Sequence, residues 1–358
     1  MRSPHNWTHL KAAASIPALA SGPASAAPAP SRVAPFCGVT GVPSWAFTIP
    51  WEERLVDFAG HKTWVREVGK KEGSGGLFGL FGKGSDKSKG QKWPLLVVHG
   101  GPGLPSRYLE TLELLAGQDR RIGCGNSFLA SENRGPPQDD ITVDMFVQEM
   151  ATVKQALGLQ EHHMLGHGWG GMLALSSLAA GSDEDGGKVQ SLTLTGCPPS
   201  YKQLIADHQQ KLEQLPEETR AALRDRSLED GQAQAMDGYN RRFVTHRPDA
   251  SCLNAASSGQ SATVTAALTG SNPFQVGGAL RDWDAEPLMA KVQQPMLILR
   301  GGNEELSLSS AQQLQSLRPG GITIDTLPGA GSYAHIDAWE PYLEAVNTFM
   351  LSHDQAAA

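Results

Sequence analysis

At 358 residues, with 40% apolar and 19% charged side chains, the chain is large enough to bury one substantial core, and its composition is that of a globular protein. A formal net charge of -7 argues against nucleic acid as a principal partner. No run of about eighteen apolar residues occurs, so no integral membrane span is expected.

The four cysteines, Cys37, Cys124, Cys197 and Cys252, are scattered without a C-x-x-C pair. None of the eleven histidines sits in an H-E-x-x-H frame, so no metal site is expected. The cysteines read as free buried thiols in a reducing compartment.

Residues 1 to 45 are rich in Ala, Ser and Pro. No acidic residue precedes Glu52, and Arg2, Lys11 and Arg32 add positive charge. This suits a transit peptide for a chloroplast or mitochondrion. A secretory signal with its apolar part at 12–20, or a disordered tail on a cytoplasmic protein, are the alternatives. The extension is set outside the fold.

From 46 to 199 the pattern is that of a sheet with helices. "WAFTIPWEERLVDFAGHKTWVREVG" predicts a β-hairpin by its rough alternation. Residues 70–92, rich in Gly, Ser and Lys, break that pattern and predict an exposed loop. "WPLLVVHGGPG" reads as a central parallel strand buried on both faces, followed by helical spacing in "SRYLETLELLAG". "KVQSLTLTG" is the next strong strand.

Residues 200–284 lose strand signals and read as a mainly helical cap. The second part of the core spans 285–352, with strands in "QPMLILRG" and "GITIDTLPG" and helices in "SSAQQLQSL" and "EPYLEAVNTFM". Residues 353–358 are a tail. The sum is an α/β fold with a mostly parallel central sheet, helices on both faces and a helical cap.

"LQEHHMLGHGWGGMLAL" has the form of strand, sharp turn and helix. In a G-x-S-x-G elbow the central serine is the nucleophile and small neighbours let the turn close. Gly166, Gly168, Gly170 and Gly171 meet the steric demand, but Gly168 stands where the serine belongs. Glycine has no atom with which to attack.

With "PLLVVHGGPGLPSRYLETL", "TVDMFVQEM", "LPEETRAAL", "ALRDWD" and "PMLILRGG", this elbow resembles the prolyl aminopeptidase (proline iminopeptidase) branch of the α/β-hydrolases. The resemblance implies an α/β-hydrolase fold and, in the family, removal of an N-terminal residue, often proline, by a Ser-Asp-His triad beneath a cap. It calls for no cofactor. Carried across, the triad falls on Gly168, Glu304 and Ser332. His335, beyond Ser332, is either an ordinary family position or a displaced base.

The family's oxyanion donors correspond to the "HGGPG" turn, with Gly100 and Gly101, and to the Trp169 amide. Its cap glutamates fall on Gly238 and Pro273. Before "GCGNS" part of one central strand is missing, and "DRRI" is too short and charged to replace it. Cys124 and Ser127 in that loop are the remaining nucleophile candidates, and His167 reads as a space-filler beside the strand.

Two readings follow. One is a catalytically dead hydrolase fold that retains a pocket for a peptide or small acyl ligand. The other is an aminopeptidase or serine-type hydrolase with a non-standard site.

Overall fold

The computed structural model describes residues 36–69, 92–126, 141–181, 187–224, 229–270 and 272–354. The hairpin expected from alternation is β1 (Trp51–Phe58) and β2 (His61–Val68), paired antiparallel from Trp51↔Val68 to Phe58↔His61. Ala59 and Gly60 both take positive φ at its tip, 48° and 79°. That backbone twist matches the twist of the flanking strands, which is why such turns close two-residue hairpins.

Six further strands complete one sheet: β3 (Leu95–Val98), β4 (Ile122–Asn126), β5 (Glu161–His167), β6 (Lys188–Thr195), β7 (Met296–Gly301) and β8 (Ile322–Leu327). Their order is β1-β2-β4-β3-β5-β6-β7-β8. Pairings are antiparallel as far as β2–β4 and parallel from there on. Every residue of β3 and β7 is buried, as apolar runs covered on two faces require. Edge strand β8 instead alternates exposed and covered positions.

Helices α1 (Val143–Ala156) and α2 (Trp169–Ala179) bury Phe146, Met150, Met172 and Leu175 against one face. The opposite face is covered by the 3-10 turns of Ser106–Gln118 and by the last long helix, Trp339–Leu351, through Leu112, Leu115 and Val346. This is the α/β-hydrolase architecture, a mixed and mostly parallel sheet between helical layers.

The strand expected to be truncated is present. β4 is built from "IGCGN" and lies between β2 and β3, with Leu95↔Ile122 and Val97↔Cys124 on one side and Val68↔Ile122 on the other. Its glycines are places of close approach. A Cβ at Gly123 would stand 3.1 Å from Leu157 Cδ1, and one at Gly125 would stand 3.1 Å from the Trp64 carbonyl oxygen.

The two arginines that counted against this strand are neutralised. Arg120, fully buried, donates to Asp354 Oδ1 and Oδ2 at 3.0 and 2.6 Å, and also to the Trp93 carbonyl. Arg121 donates to Glu67 Oε1 at 2.9 Å and to the Leu157 carbonyl at 3.0 Å. Paired guanidinium groups can be buried where lone ones cannot.

Three other expectations change. Residues 36–45 belong to the fold, because Phe36, Cys37 and Val39 are buried in the same cluster as Leu112 and Val346. Cys37 and Cys252 are joined by a disulfide, while Cys124 and Cys197 are free and buried. The tail begins later than 353, since Asp354 anchors Arg120 and accepts from the Trp93 amide at 2.9 Å. The expected loop, from residue 70 to 91, lies outside the described residues, as do residues 1–35, Ser127 and 355–358.

The cap leaves and re-enters the core through one neck. Ser200 bridges to Asp284, and the amides of Tyr201 and Ala285 donate to the carbonyls of Trp283 and Pro199. Between these points lie helices α3 (Tyr201–Leu212), α4 (Glu217–Arg224) and α5 (Glu229–Tyr239), then α6 (Ser251–Ser258) and α7 (Ala262–Thr269). Ser200 caps α3 by accepting from the Gln203 amide. Leu212, Leu223, Tyr239, Phe243 and Phe274 form a core for the cap itself.

Candidate functional site

β5 runs directly into the elbow. Gly168 adopts φ 54° and ψ -117° between the strand and α2. The glycines around it are there for space. A Cβ at Gly166 would lie 2.6 Å from the Gly170 carbonyl oxygen, and one at Gly170 would lie 2.2 Å from the Val98 carbonyl oxygen. Position 168 differs, because a Cβ there would meet nothing nearer than Gly100 Cα at 4.0 Å. Packing demands glycine on both sides of the bend and leaves room for a side chain at its apex.

That apex faces a cavity of about 470 Å3 between core and cap. Gly101, Gly168 and Trp169 reach it from the core, Tyr239 and Phe274 from the cap, and Glu305 and Ser332 from the loops after β7 and β8.

Ser332, the residue on which the family's histidine is expected to fall, lines this cavity. Its hydroxyl accepts from the Glu305 amide at 3.1 Å and lies 3.0 Å from Glu305 Oε2 and 3.3 Å from the Phe243 carbonyl oxygen, its two acceptors. The acid in the cavity is therefore Glu305. Glu304 turns into the core, where Arg300 Nε donates to it at 3.2 Å and the Gly301 amide at 3.3 Å. Burial lifts the Glu304 carboxyl to about 7 against the opposing charge of Arg300. The only sequence signal for Glu305 was the adjacent pair in "GGNEEL".

His167 lines the cavity and does more than fill space. Its Nε2 lies 3.2 Å from the Ser332 carbonyl oxygen, which can only accept, so the proton is assigned to Nε2. Nδ1 then accepts from the Tyr108 hydroxyl at 3.0 Å, and that hydroxyl accepts from the Gly100 amide at 2.6 Å. Burial lowers the His167 pKa to about 4. The ring is neutral with both nitrogens engaged.

Of the three expected oxyanion donors, one has its amide engaged within the protein. The Gly100 amide is committed to Tyr108, which leaves Gly101 and Trp169 at the cavity wall. Trp169 is the first residue of α2, and a helix leaves its first amides without intrahelical acceptors.

Neither His335 nor Cys124 is brought to the apex. His335 is fully buried, donates from Nε2 to the Tyr108 carbonyl at 3.0 Å, and does not line the cavity. Burial holds its pKa well below the ordinary histidine value. Cys124 borders a separate small void with Trp64, Arg66 and Glu113, and burial pushes its thiol pKa far up. Gly238 does not reach the cavity, whereas its neighbour Tyr239 does, as does Pro273. Neither of those two expected glutamate positions supplies a carboxylate.

A strand-elbow-helix at the centre of such a sheet, with a capped cavity above it, defines an α/β hydrolase. The family model for the α/β hydrolase fold matches residues 94–337, and the chain belongs to that family.

Its relatives lie on the proline-iminopeptidase branch. The chain is 25% identical over 326 residues to the proline iminopeptidase of Lacticaseibacillus rhamnosus, covering 85% of this chain and 99% of that one. It is 29% identical over 266 residues to that of Lactobacillus acidophilus, covering 70% and 82%. The crystal structure of proline iminopeptidase from Mycobacterium smegmatis superimposes with a TM-score of 0.71 at 26% identity, over 84% of this chain and 98% of that one.

Proposed function

We propose that this chain is a ligand-binding member of the α/β-hydrolase fold that performs no acyl transfer. One observation carries the reading: the apex of the elbow, Gly168, has no side-chain oxygen although the space for one is open. The position of the base supports it, since Ser332 offers a hydroxyl bound to Glu305 in place of an imidazole.

Loss of the nucleophile alone costs on the order of 10⁶ in turnover in a well-studied serine protease. An aminopeptidase working here would need an attacking atom opposite the Gly101 and Trp169 amides, and the residue at that place is glycine. The cavity and those two amides remain available to a peptide or small acyl ligand.

The test is an activity-based fluorophosphonate probe on the purified protein. No labelling is expected. Labelling that disappears on heat denaturation defeats the reading, because it requires a folded site with an activated nucleophile.

A further inference from the structure

Helix α6 forms one wall of the cavity through Leu253, Asn254, Ala256 and Ser257. By itself it is a weak helix. It has eight residues, three of them serine and one asparagine, and Ala250 at its N-cap accepts no amide. Isolated helices shorter than about 12–15 residues are marginal in water, so its form depends on what holds it.

Its second residue, Cys252, supplies a covalent hold through the bridge to Cys37. Cys37 Sγ lies 3.5 Å from the carbonyl oxygen of Tyr108, whose hydroxyl takes the Gly100 amide and bonds His167. The bridge therefore joins the cavity wall to the residue that fixes His167 beside the elbow.

The other end of the bridge is under tension. Phe36 and Cys37 both lie in the left-handed region, with φ 58° and 59°. Side chains there crowd their own backbone, so this segment keeps its conformation only while its surroundings impose it.

Two weaker ties flank the bridge. Ahead of α6, Arg247 Nη2 donates to the Gly38 carbonyl at 2.7 Å. Beyond α6, the Ser261 amide donates to the Gly103 carbonyl at 2.9 Å. With the bridge broken, the helix between these ties can part from the core while both its ends stay attached. The attached ends keep Cys252 near Cys37, so the bond can form again.

We infer that the Cys37–Cys252 bridge is a redox switch on the cavity wall: reduction by a dithiol releases α6 and opens the cavity, and oxidation closes it. One thiolate of the dithiol attacks a bridge sulfur and expels the other cysteine as thiolate. The second thiol of the reductant, as thiolate, then displaces the cysteine from the mixed disulfide. Two electrons and two protons pass to the protein, and the reductant leaves as a disulfide. Burial pushes the thiols of Cys124 and Cys197 far up, which leaves them little thiolate with which to compete in this exchange. The inference goes beyond the proposed binding role and does not depend on whether acyl transfer occurs.

The experiment is hydrogen–deuterium exchange by mass spectrometry on the full chain in three states: oxidised, reduced with dithiothreitol, and reoxidised with glutathione disulfide. Labelling times are kept short enough for β5 and β7 to stay protected in the oxidised protein. The amides of Leu253–Ser258 are expected to exchange at least about tenfold faster after reduction, with β5 and β7 unchanged. Reoxidation is expected to restore the first rate. Cys37→Ser should exchange fast in α6 from the start and ignore dithiothreitol, and Cys252→Ser serves if that variant does not fold.

Equal exchange in oxidised and reduced protein overturns the inference, because packing of Leu253 and Ala256 then holds the wall without the bridge. Exchange that rises in β5 and β7 together with α6 also overturns it, since the bridge would then brace the whole fold. So does a reduced state that reoxidation fails to restore. A fluorophosphonate result of either sign leaves these outcomes untouched.

Discussion

Ser332 and Glu305 hold one another at both ends: the Glu305 amide donates to the serine hydroxyl at 3.1 Å, and that hydroxyl lies 3.0 Å from the Glu305 carboxylate. An imidazole at position 332 would face a carboxylate already fixed beside it. The carboxylate beside position 332 is that of Glu305, while Glu304 is held by Arg300 and the Gly301 amide.

Restoring the apex alone is expected to fail. Gly168→Ser has space for its side chain, but the positive φ costs about 1–3 kcal/mol of stability. His167 cannot take the proton, since both its nitrogens are bonded. The single variant should remain unlabelled by fluorophosphonate, whereas Gly168→Ser with Ser332→His should show folded-state labelling. Labelling of the single variant would mean that some other base reaches the apex.

Asp354 closes the buried end of β4. Arg120 and Asp354 form a pair almost without exposure, and His163 Nε2 donates to Asp354 Oδ1 at 3.0 Å. Removing one partner of a buried pair costs about 3–5 kcal/mol, so Asp354→Asn should lower the denaturation midpoint strongly at pH 7.

The acid dependence of the same group has a definite sign. Burial pushes the Asp354 carboxyl up, but the hydrogen bonds from His163 and Arg120 outweigh it and hold the pKa below the ordinary aspartate value. A depressed pKa contributes stability above the unfolded value, about 3.9, and that contribution is lost as pH falls towards the folded one. Below about pH 4 the native chain should therefore lose stability more steeply than Asp354→Asn. Parallel acid profiles for the two proteins would remove Asp354 from the account.

The Cys37–Cys252 bridge spans 215 positions and ties the segment before β1 to α6, whose Leu253 and Ala256 line the cavity. Closing so long a loop restricts the unfolded chain, at a stabilisation of about 2–5 kcal/mol. Thiol titration of the denatured, unreduced protein should find Cys124 and Cys197 only. Dithiothreitol or Cys37→Ser should lower the denaturation midpoint. Four reactive thiols in the untreated protein would show that the bridge is absent.

Much of the fold was legible in the residues. The hairpin at 51–68, the buried runs of β3 and β7, the helical cap and the elbow all announce themselves by periodicity or by required glycines. β4 did not, because "IGCGN" has no apolar alternation and Ile122 is its one β-branched residue, and its place depends on β2 and β3 supplying ladders on both sides.

By itself the sequence determined the architecture and the glycine at the apex of the elbow, since burial patterns and the lack of a side-chain oxygen at position 168 are local facts. Tertiary structure alone decided which of two adjacent glutamates enters the cavity, which amide the Tyr108 hydroxyl takes, and which cysteines join. Those outcomes depend on partners far along the chain: Arg300 draws Glu304 inward while Ser332 holds Glu305, and Tyr108 takes the Gly100 amide. Residue type fixes what a side chain is able to bond. Only packing fixes which of its possible partners lies within reach.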